Sequence, residues 1–345
     1  MNKGKIIGID LAKTHFYLFT LDKEGNPAGK KRLSRGELLR WLAQQTVVIV
    51  ALEACGSAHH WAREIQALGH QVLILPAQHV KAYRRKQKND YNDAQAIAEA
   101  CQHGTIRPVR VKSLEQQDEQ TFLKMRRLVV EEKTQLINHI RGLLAEYGII
   151  LKQGASALHH LLPSLLEDGN PAMTPKLKIL MQRQYARLVT LEQELIWYDS
   201  ELRIQVKKNA VCQRLQTIPG FGPLVSQLFK VWMGDGQQFR RGRDASAALG
   251  LVPRQFSTGG RQILLSITKC GDGYIRAMLI QGARSVVSRA ANKTDTLSLW
   301  INRLREKRGF NRTVVALANK LTRIVWAIIS RQEIYIPKGV SLENG

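Results

Sequence analysis

Two continuous apolar runs constrain this chain most: TVVIVALEACG, residues 46–56, and HQVLILP, residues 70–76. Neither alternates polar with apolar residues. That is the pattern of a strand buried on both faces, so layers must cover both sides of the sheet that holds it. The neighbouring segments can supply them. KIIGID (5–10) is a short apolar run ending on an acid, and THFYLFTLD (14–22) is aromatic and β-prone. DKEGN (22–26) is a turn signal, after which PAGKKRLS (27–34) can return as the second arm of a hairpin. RGELLRWLAQQ has helical spacing, SAHHWAREIQALG reads as a helix closed by Gly69, and DAQAIAEACQHG as one closed by Gly104. Strands, a hairpin and alternating helices predict an α/β domain with a mixed sheet over residues 1–112.

Residues 113–210 have another texture. From Leu114 to Tyr147 there is no proline and one glycine, Gly142, and Leu123, Leu128, Leu136, Ile140 and Leu143 keep helical spacing. A segment broken by glycine and proline follows, LEDGNPAMTP. The chain is then unbroken from Lys176 to Asn209, where Leu177, Leu180, Leu188, Leu191, Leu195 and Leu202 mark an apolar seam among charges. This predicts a long helix in a coiled coil through which dimers form, with a helical hairpin inside one chain as the simpler alternative.

Residues 211–345 read as mostly helical. LQTIPGFGPLVSQLF is two helical pieces around PGFGP, similar to the helix-hairpin-helix of non-specific DNA binders. Gly220 and Gly222 would leave backbone N–H groups aimed at a phosphate; a plain helix turn is the competing reading. Arg240, Arg241 and Arg243 follow as candidate backbone contacts, and residues 276–331 hold twelve bases against two acids, Asp295 and Glu306.

The whole chain carries 52 Lys and Arg against 28 Asp and Glu, a net charge of +24 over 345 residues. Self-repulsion of that size calls for a polyanionic partner. Nucleic acid is favoured over membrane, because no apolar run reaches the ~18 residues of a span and MNKGKIIGIDLAK lacks a signal peptide's apolar core. Cys55, Cys101, Cys212 and Cys270 are scattered without a C-x-x-C pair. This argues against structural zinc and a disulfide framework and fits a reducing cytoplasm. Cys55 with His59 and His60 is a minor alternative metal set, against a buried thiol and a helix-face histidine pair.

Against that basic background, four acids stand out. Asp10 and Glu53 end two strands, and strand ends in a twisted α/β sheet converge on one edge. Asp90 and Asp93 lie three apart at a helix start, so they share a face. Lys81, Arg84, Arg85, Lys86 and Lys88 precede them and are expected to hold phosphates nearby. Four carboxylates on one edge repel unless neutralised. Mg²⁺ or Mn²⁺ would do so, and two such ions can clamp both sides of a phosphodiester exchange. Taken singly, Asp90 could cap the helix, Asp93 could favour its dipole, and Asp10 could be a turn residue.

GIDLAK, ALEACG and KNDYNDAQAIAEA resemble the D-E-D-D signature of transposases of the insertion sequence 110/1111 family, which includes the Piv-type DNA invertases. IPGFGP, FRRGRDASAALGLVPRQFSTGG and SITKCGDGYIRAML resemble that family's second domain, and EACGSAHHWA is closer to the 1111 branch. The resemblance spans nearly the whole chain, in order. It implies a RuvC-like, RNase H-type domain at 1–112, a helical region at 113–210 and a C-terminal transposase domain at 211–345. It assigns Asp10, Glu53, Asp90 and Asp93 to the acidic tetrad and Ser257 in RQFSTGG to the catalytic serine. It further implies site-specific recombination guided by a structured bridge- or seek-type RNA from the element's non-coding end, pairing with donor and target DNA. Dimers would join into a tetramer, with acids and serine contributed across subunits, in a bacterial cytoplasm at the nucleoid.

On its own terms Ser257 is one serine among many, in a loop between AALGLVP and RQILLSI. Gly259 and Gly260 let the backbone approach a ligand, Arg254 and Arg261 bring charge for a phosphate, and Thr258 is a rival hydroxyl. A serine hydroxyl needs a base or metal to activate it, and no histidine is near in sequence. Covalent phosphoserine exchange is therefore weighed against two others: a RuvC-like nuclease in which metal-bound water attacks, and a non-catalytic nucleic-acid-binding protein.

Overall fold

Both apolar runs become strands of a five-stranded mixed sheet. β1 (Ile6–Leu11), β2 (His15–Leu21) and β3 (Pro27–Ser34) form an antiparallel meander; β4 (Ile49–Glu53) and β5 (Gln71–Leu75) run parallel to β1. The order across the sheet is β3-β2-β1-β4-β5. A computed structural model describes residues 4–84, 87, 89–104, 106–167 and 173–337, and the chain divides into two units, Met1–Gln117 and Asp118–Gly345.

Alternation of side chains along each strand assigns residues to two covering layers. Ile7 and Ile9 of β1 and Val50 and Leu52 of β4 pack with Leu38 and Leu42 of α1 (Arg35–Ala43) and Trp61 and Ile65 of α2 (Ala58–Ala67). Ile6, Ile49 and Ala51 face the other way, onto Ala94, Ile97, Ala98 and Cys101 of α4. A short helix, α3 (Ala77–Val80), and a 3-10 turn (Lys81–Tyr83) precede α4 (Asp90–His103). Gly104 closes α4 with φ +65°, the left-handed cap its sequence announces. α1 starts with a capping box, Ser34 and Glu37 bonding each other's backbone.

Gly8 sets how closely α4 lies on β1. A Cβ there would stand 2.4 Å from the Ala94 carbonyl oxygen and 2.6 Å from the Ala98 nitrogen. Any side chain must push the helix off the sheet. Gly8→Val is expected to destabilise this unit by about 3 kcal/mol. The measurement is hydrogen exchange at the α4 amides, which should lose protection; unchanged protection would mean the helix does not depend on that approach.

The second unit is helical apart from one ribbon. α5 (Leu114–Ala145), α6 (Ala155–Glu167) and α7 (Pro175–Lys208) share a core of Leu136, Ile140, Leu144, Leu158, Leu162, Leu177, Met181 and Leu188. α5 and α7 run antiparallel: Arg126 meets Asp199 at 2.7 Å, and Arg187 lies 3.9 Å from Glu132. Part of the predicted leucine seam is thus covered within one chain, as a helical hairpin, while Leu180 stays half exposed. α6 lies outside the two long helices that the spacing predicts.

The remaining helices are α8 (Ala210–Gln216), α9 (Pro223–Met233), α10 (Gly242–Ala248), α11 (Gly273–Ser288), α12 (Thr296–Arg308) and α13 (Phe310–Arg331). They pack around Phe229, Leu249, Leu279, Leu317 and Leu321. α13 is the one described helix long and apolar enough to cross a membrane, and half of that stretch is buried in this core. β6 (Pro253–Gln255) and β7 (Leu264–Ile267) form a separate two-stranded antiparallel ribbon.

Candidate active site

The acids of the first unit converge by register. β1 pairs with β4 so that Ile9 stands beside Leu52; one residue further, Asp10 and Glu53 are level. Asp10 shares the face of Ile6, and Glu53 that of Ile49 and Ala51, so both carboxylates lie on the α4 face of the sheet. Both are half-buried.

α4 runs antiparallel to β1 across that face. Its middle sits on Gly8, and near its C-terminus Gln102 meets Gly25 in the turn between β2 and β3. At the other end, the Tyr91 ring meets Tyr17 edge-on at 5.0 Å, and Tyr17 is the cross-strand partner of Asp10. The first turn of α4, with Asp90 and Asp93, therefore arrives at the edge where Asp10 and Glu53 end their strands.

Neither aspartate caps the helix through its side chain. Asn89 does so, its Oδ1 accepting from the Asn92 N–H at 2.8 Å. Asp90 is exposed. Asp93 accepts from Arg84, whose Nη1 lies 3.2 Å from Oδ1. Among the described residues, no three His, Cys, Asp or Glu side chains are already gathered to hold a metal ion. The four acids share an edge and a face without being closed into one cluster. As a donor set they are all hard carboxylate oxygens, which fits Mg²⁺ or Mn²⁺. The space left by the absent Cβ of Gly8 is what lets the helix bring two of them in. Of the basic cluster, Lys81 and Arg84 are described, Lys81 exposed; Arg85, Lys86 and Lys88 lie outside the described residues.

The alternative metal set does not form. His59 Nδ1 lies 3.2 Å from the Lys112 N–H, His60 is 3.9 Å from Glu64, and Cys55 is exposed. Cys212 is a core thiol bonded to Gln227 Oε1 at 3.1 Å, and burial pushes its pKa up to about 12.

Ser257 stands near the tip of the β6–β7 ribbon. Thr258 and Arg261 bridge across a tight turn in which Gly259 and Gly260 have φ +54° and +78°. Two consecutive left-handed residues make the turn whose twist matches a ribbon, so glycine is needed at both. The Ser257 Oγ accepts from Gln255 Nε2 at 3.0 Å and from the Ile263 N–H at 3.4 Å. Arg254 donates to Ser266 Oγ at 3.1 Å, Arg261 is exposed beside the turn, and Arg240, Arg241 and Arg243 are exposed before and on α10. Arg241 is partnered by Asp244 at 3.3 Å.

At the ribbon's base, a Cβ on Gly250 would lie 2.4 Å from the Cys270 nitrogen, and one on Gly271 would lie 2.0 Å from the Ala248 carbonyl oxygen. The first closes the two ends of the ribbon on each other, and the second seats the outgoing end against the last residue of α10. The other expected glycine pair divides. Gly220, in the turn between α8 and α9 with φ +84°, faces Gly282 of α11, whose carbonyl oxygen would be 2.7 Å from its Cβ, so the close approach of turn and helix already requires it. Gly222 is open and starts α9 without a side-chain cap.

Sequence reasoning missed Gly8, Asn89, Gln255 and the Arg84 contact. Asn89 carried a signal, being a capping residue type directly before a helical run. The others depend on register and helix direction.

The chain matches two family models. Residues 7–149 match a transposase model of the DEDD type, and residues 212–298 match the transposase model of the IS116/IS110/IS902 family. Among similar proteins, the transposase for insertion sequence element IS1111A of Coxiella burnetii is 43% identical, over 97% of this chain and 92% of its own. A probable family 20 transposase of Pseudomonas aeruginosa is 41% identical, over 98% of this chain and 100% of its own. The transposase for insertion sequence element IS1328 of Yersinia enterocolitica is 34% identical, over 96% and 98%. With both models in order along the chain and relatives matching it nearly end to end, this chain belongs to the IS110/IS116/IS902 family of insertion-sequence transposases.

Proposed function

We propose that this transposase exchanges DNA strands through a covalent phosphoserine at Ser257, with Asp10, Glu53, Asp90 and Asp93 holding Mg²⁺ or Mn²⁺. The observation that supports the reading is that Asp10 and Glu53 share one face by register in β1 and β4, with the start of α4, which carries Asp90 and Asp93, at the same edge. The strand order supports a RuvC-like, RNase H-type domain. When bound, the ion would supply charge stabilisation at the scissile phosphate.

The chain's own groups do the rest. Ser257 Oγ attacks phosphorus, forming one phosphoester as the bond to the leaving oxygen breaks. The hydroxyl proton departs and the leaving oxygen acquires one. Two N–H donors reach Oγ, at 3.0 and 3.4 Å, and would stabilise the negative charge that develops there as the proton leaves; activation itself would come from the metal-holding acids. Arg254 and Arg261 neutralise phosphate oxygens beside the turn. One phosphoester replaces another, so rejoining needs no external energy source.

Acids and serine belong to different units of the chain. Assembly of copies into dimers and a tetramer is proposed to complete the centre, with long helices available for pairing. Recognition of donor and target is proposed to rest on base pairing by a guide RNA, which the charge of +24 suits without requiring side chains to read bases.

The test is a denaturing gel. Purified protein, candidate guide RNA, labelled donor and target DNA and Mg²⁺ are expected to give a protein-linked, protease-sensitive DNA band. Free cleaved DNA without such a band would point to water as nucleophile, and binding without cleavage to a non-catalytic role.

A further inference from the structure

Arg84 follows the 3-10 turn directly and reaches forward to Asp93 at the start of α4. The separation is 3.2 Å, with 28% of the arginine side chain and 17% of the aspartate side chain exposed. Such a half-shielded pair is screened less than a surface pair. It engages one of the four acids at the candidate centre, and the described acids are not closed into a ready ligand cluster. The helix start does not need Asp93 for capping, since Asn89 performs that role. Arg84 itself has extended backbone, φ −75° and ψ 104°, just past the turn. Its guanidinium can swing away without breaking a helix or a strand ladder.

We propose that Arg84 is a positioning residue that latches Asp93 away from the divalent cation until a nucleic-acid phosphate takes up the guanidinium. A carboxylate oxygen facing Arg84 is unavailable to a cation, and the guanidinium charge repels that cation directly. A phosphate oxygen binds guanidinium at least as well as a carboxylate does. Substrate arrival therefore frees Asp93 and removes the competing charge in one step. Metal capture becomes coupled to nucleic-acid binding, and by linkage metal tightens nucleic acid by the same factor. The centre loads metal less readily while no substrate is present, which biases cleavage toward bound substrate. This inference rests on the metal reading proposed above.

The experiment measures Mn²⁺ binding, by the loss of the free-ion electron paramagnetic resonance signal. It compares full-length protein with Arg84→Gln and Arg84→Lys, each with and without a saturating short DNA duplex of arbitrary sequence, and subtracts a DNA-only blank. Circular dichroism checks that each variant is folded. Without DNA, Arg84→Gln is expected to bind Mn²⁺ about fivefold more tightly than the natural protein. DNA should tighten the natural protein by a similar factor, leave Arg84→Gln nearly unchanged, and act partially on Arg84→Lys. Equal affinity of the natural protein and Arg84→Gln without DNA overturns the latch and leaves the metal site standing. Weaker binding by Arg84→Gln also overturns it, since Arg84 would then be holding Asp93 in place for the ion. Absence of Mn²⁺ binding by every form, with and without DNA, overturns the metal reading and the latch with it.

Discussion

Ser257→Ala is expected to abolish the protein–DNA adduct and to lower strand transfer by at least about 10³-fold. The substitution removes the only atom that forms the proposed bond to phosphorus, while Gln255 and the Ile263 N–H are left facing solvent, where water satisfies them. Ser257 is exposed and outside the cores of the unit, so the thermal midpoint should hold and any loss is one of chemistry. Thr258→Ala separates the two neighbouring hydroxyls. Thr258 contributes its backbone carbonyl to the ribbon turn, accepting from the Arg261 N–H at 3.0 Å, which alanine preserves. The adduct should persist in Thr258→Ala. An undiminished adduct in Ser257→Ala would remove serine from the mechanism.

The second large effect is expected for Asp10→Asn, a loss of strand exchange of about 10³-fold with nucleic-acid affinity little changed. Asparagine keeps the shape at the end of β1 and withdraws one negative charge from the candidate centre. Position, and not charge alone, makes Asp10 the strongest choice: it is half-buried on the α4 face, level with Glu53, and its rung partner Tyr17 touches the first turn of α4. Filter binding against a labelled duplex gives affinity, and a gel assay gives exchange. Full exchange by Asp10→Asn would refute the metal reading, while a parallel fall in binding would place Asp10 in the fold instead of the chemistry.

Some of this architecture was legible in the residues because local chemistry dictates it. TVVIVALE and HQVLIL lack alternation, and both strands are covered on two sides. Gly104 ends α4 in the left-handed region, and Asp22 to Asn26 form the turn that joins β2 and β3. What stayed illegible depends on non-local geometry. Whether Asp10 and Glu53 share a face follows from the pairing of β1 with β4, and a slip of one residue would send one of them to the opposite layer. The direction of α4 decides which end of the sheet Asp90 and Asp93 reach, and the contacts of its two ends, Tyr91 with Tyr17 and Gln102 with Gly25, reveal it. The leucines of α7 fit a partner chain and an intrachain neighbour equally well by spacing, and the ion pairs with α5 decide where much of that face goes. Gly220 reads as a phosphate turn by spacing, and the fold gives the residue a second reason, φ +84° and a close backbone approach to Gly282 of α11.

The pinned base of the β6–β7 ribbon separates two kinds of demand that most folds place on the same residues. Between Gly250 and Gly271 the arms are largely in solvent; Leu251 and Ile267 pack on the helical core, and the Leu251 and Cys270 carbonyls accept from Asn319 and Arg276 at the base. Thermal stability is therefore nearly blind to the exposed stretch, residues 253–262, and substitutions there are judged by function alone. Length is freer too, within a parity rule. Lengthening both arms by two residues keeps every side chain on its own side of the ribbon, whereas adding one reverses the face of all that follow. Lengthening in paired steps would move the tip that carries Ser257 while leaving the helical scaffold untouched.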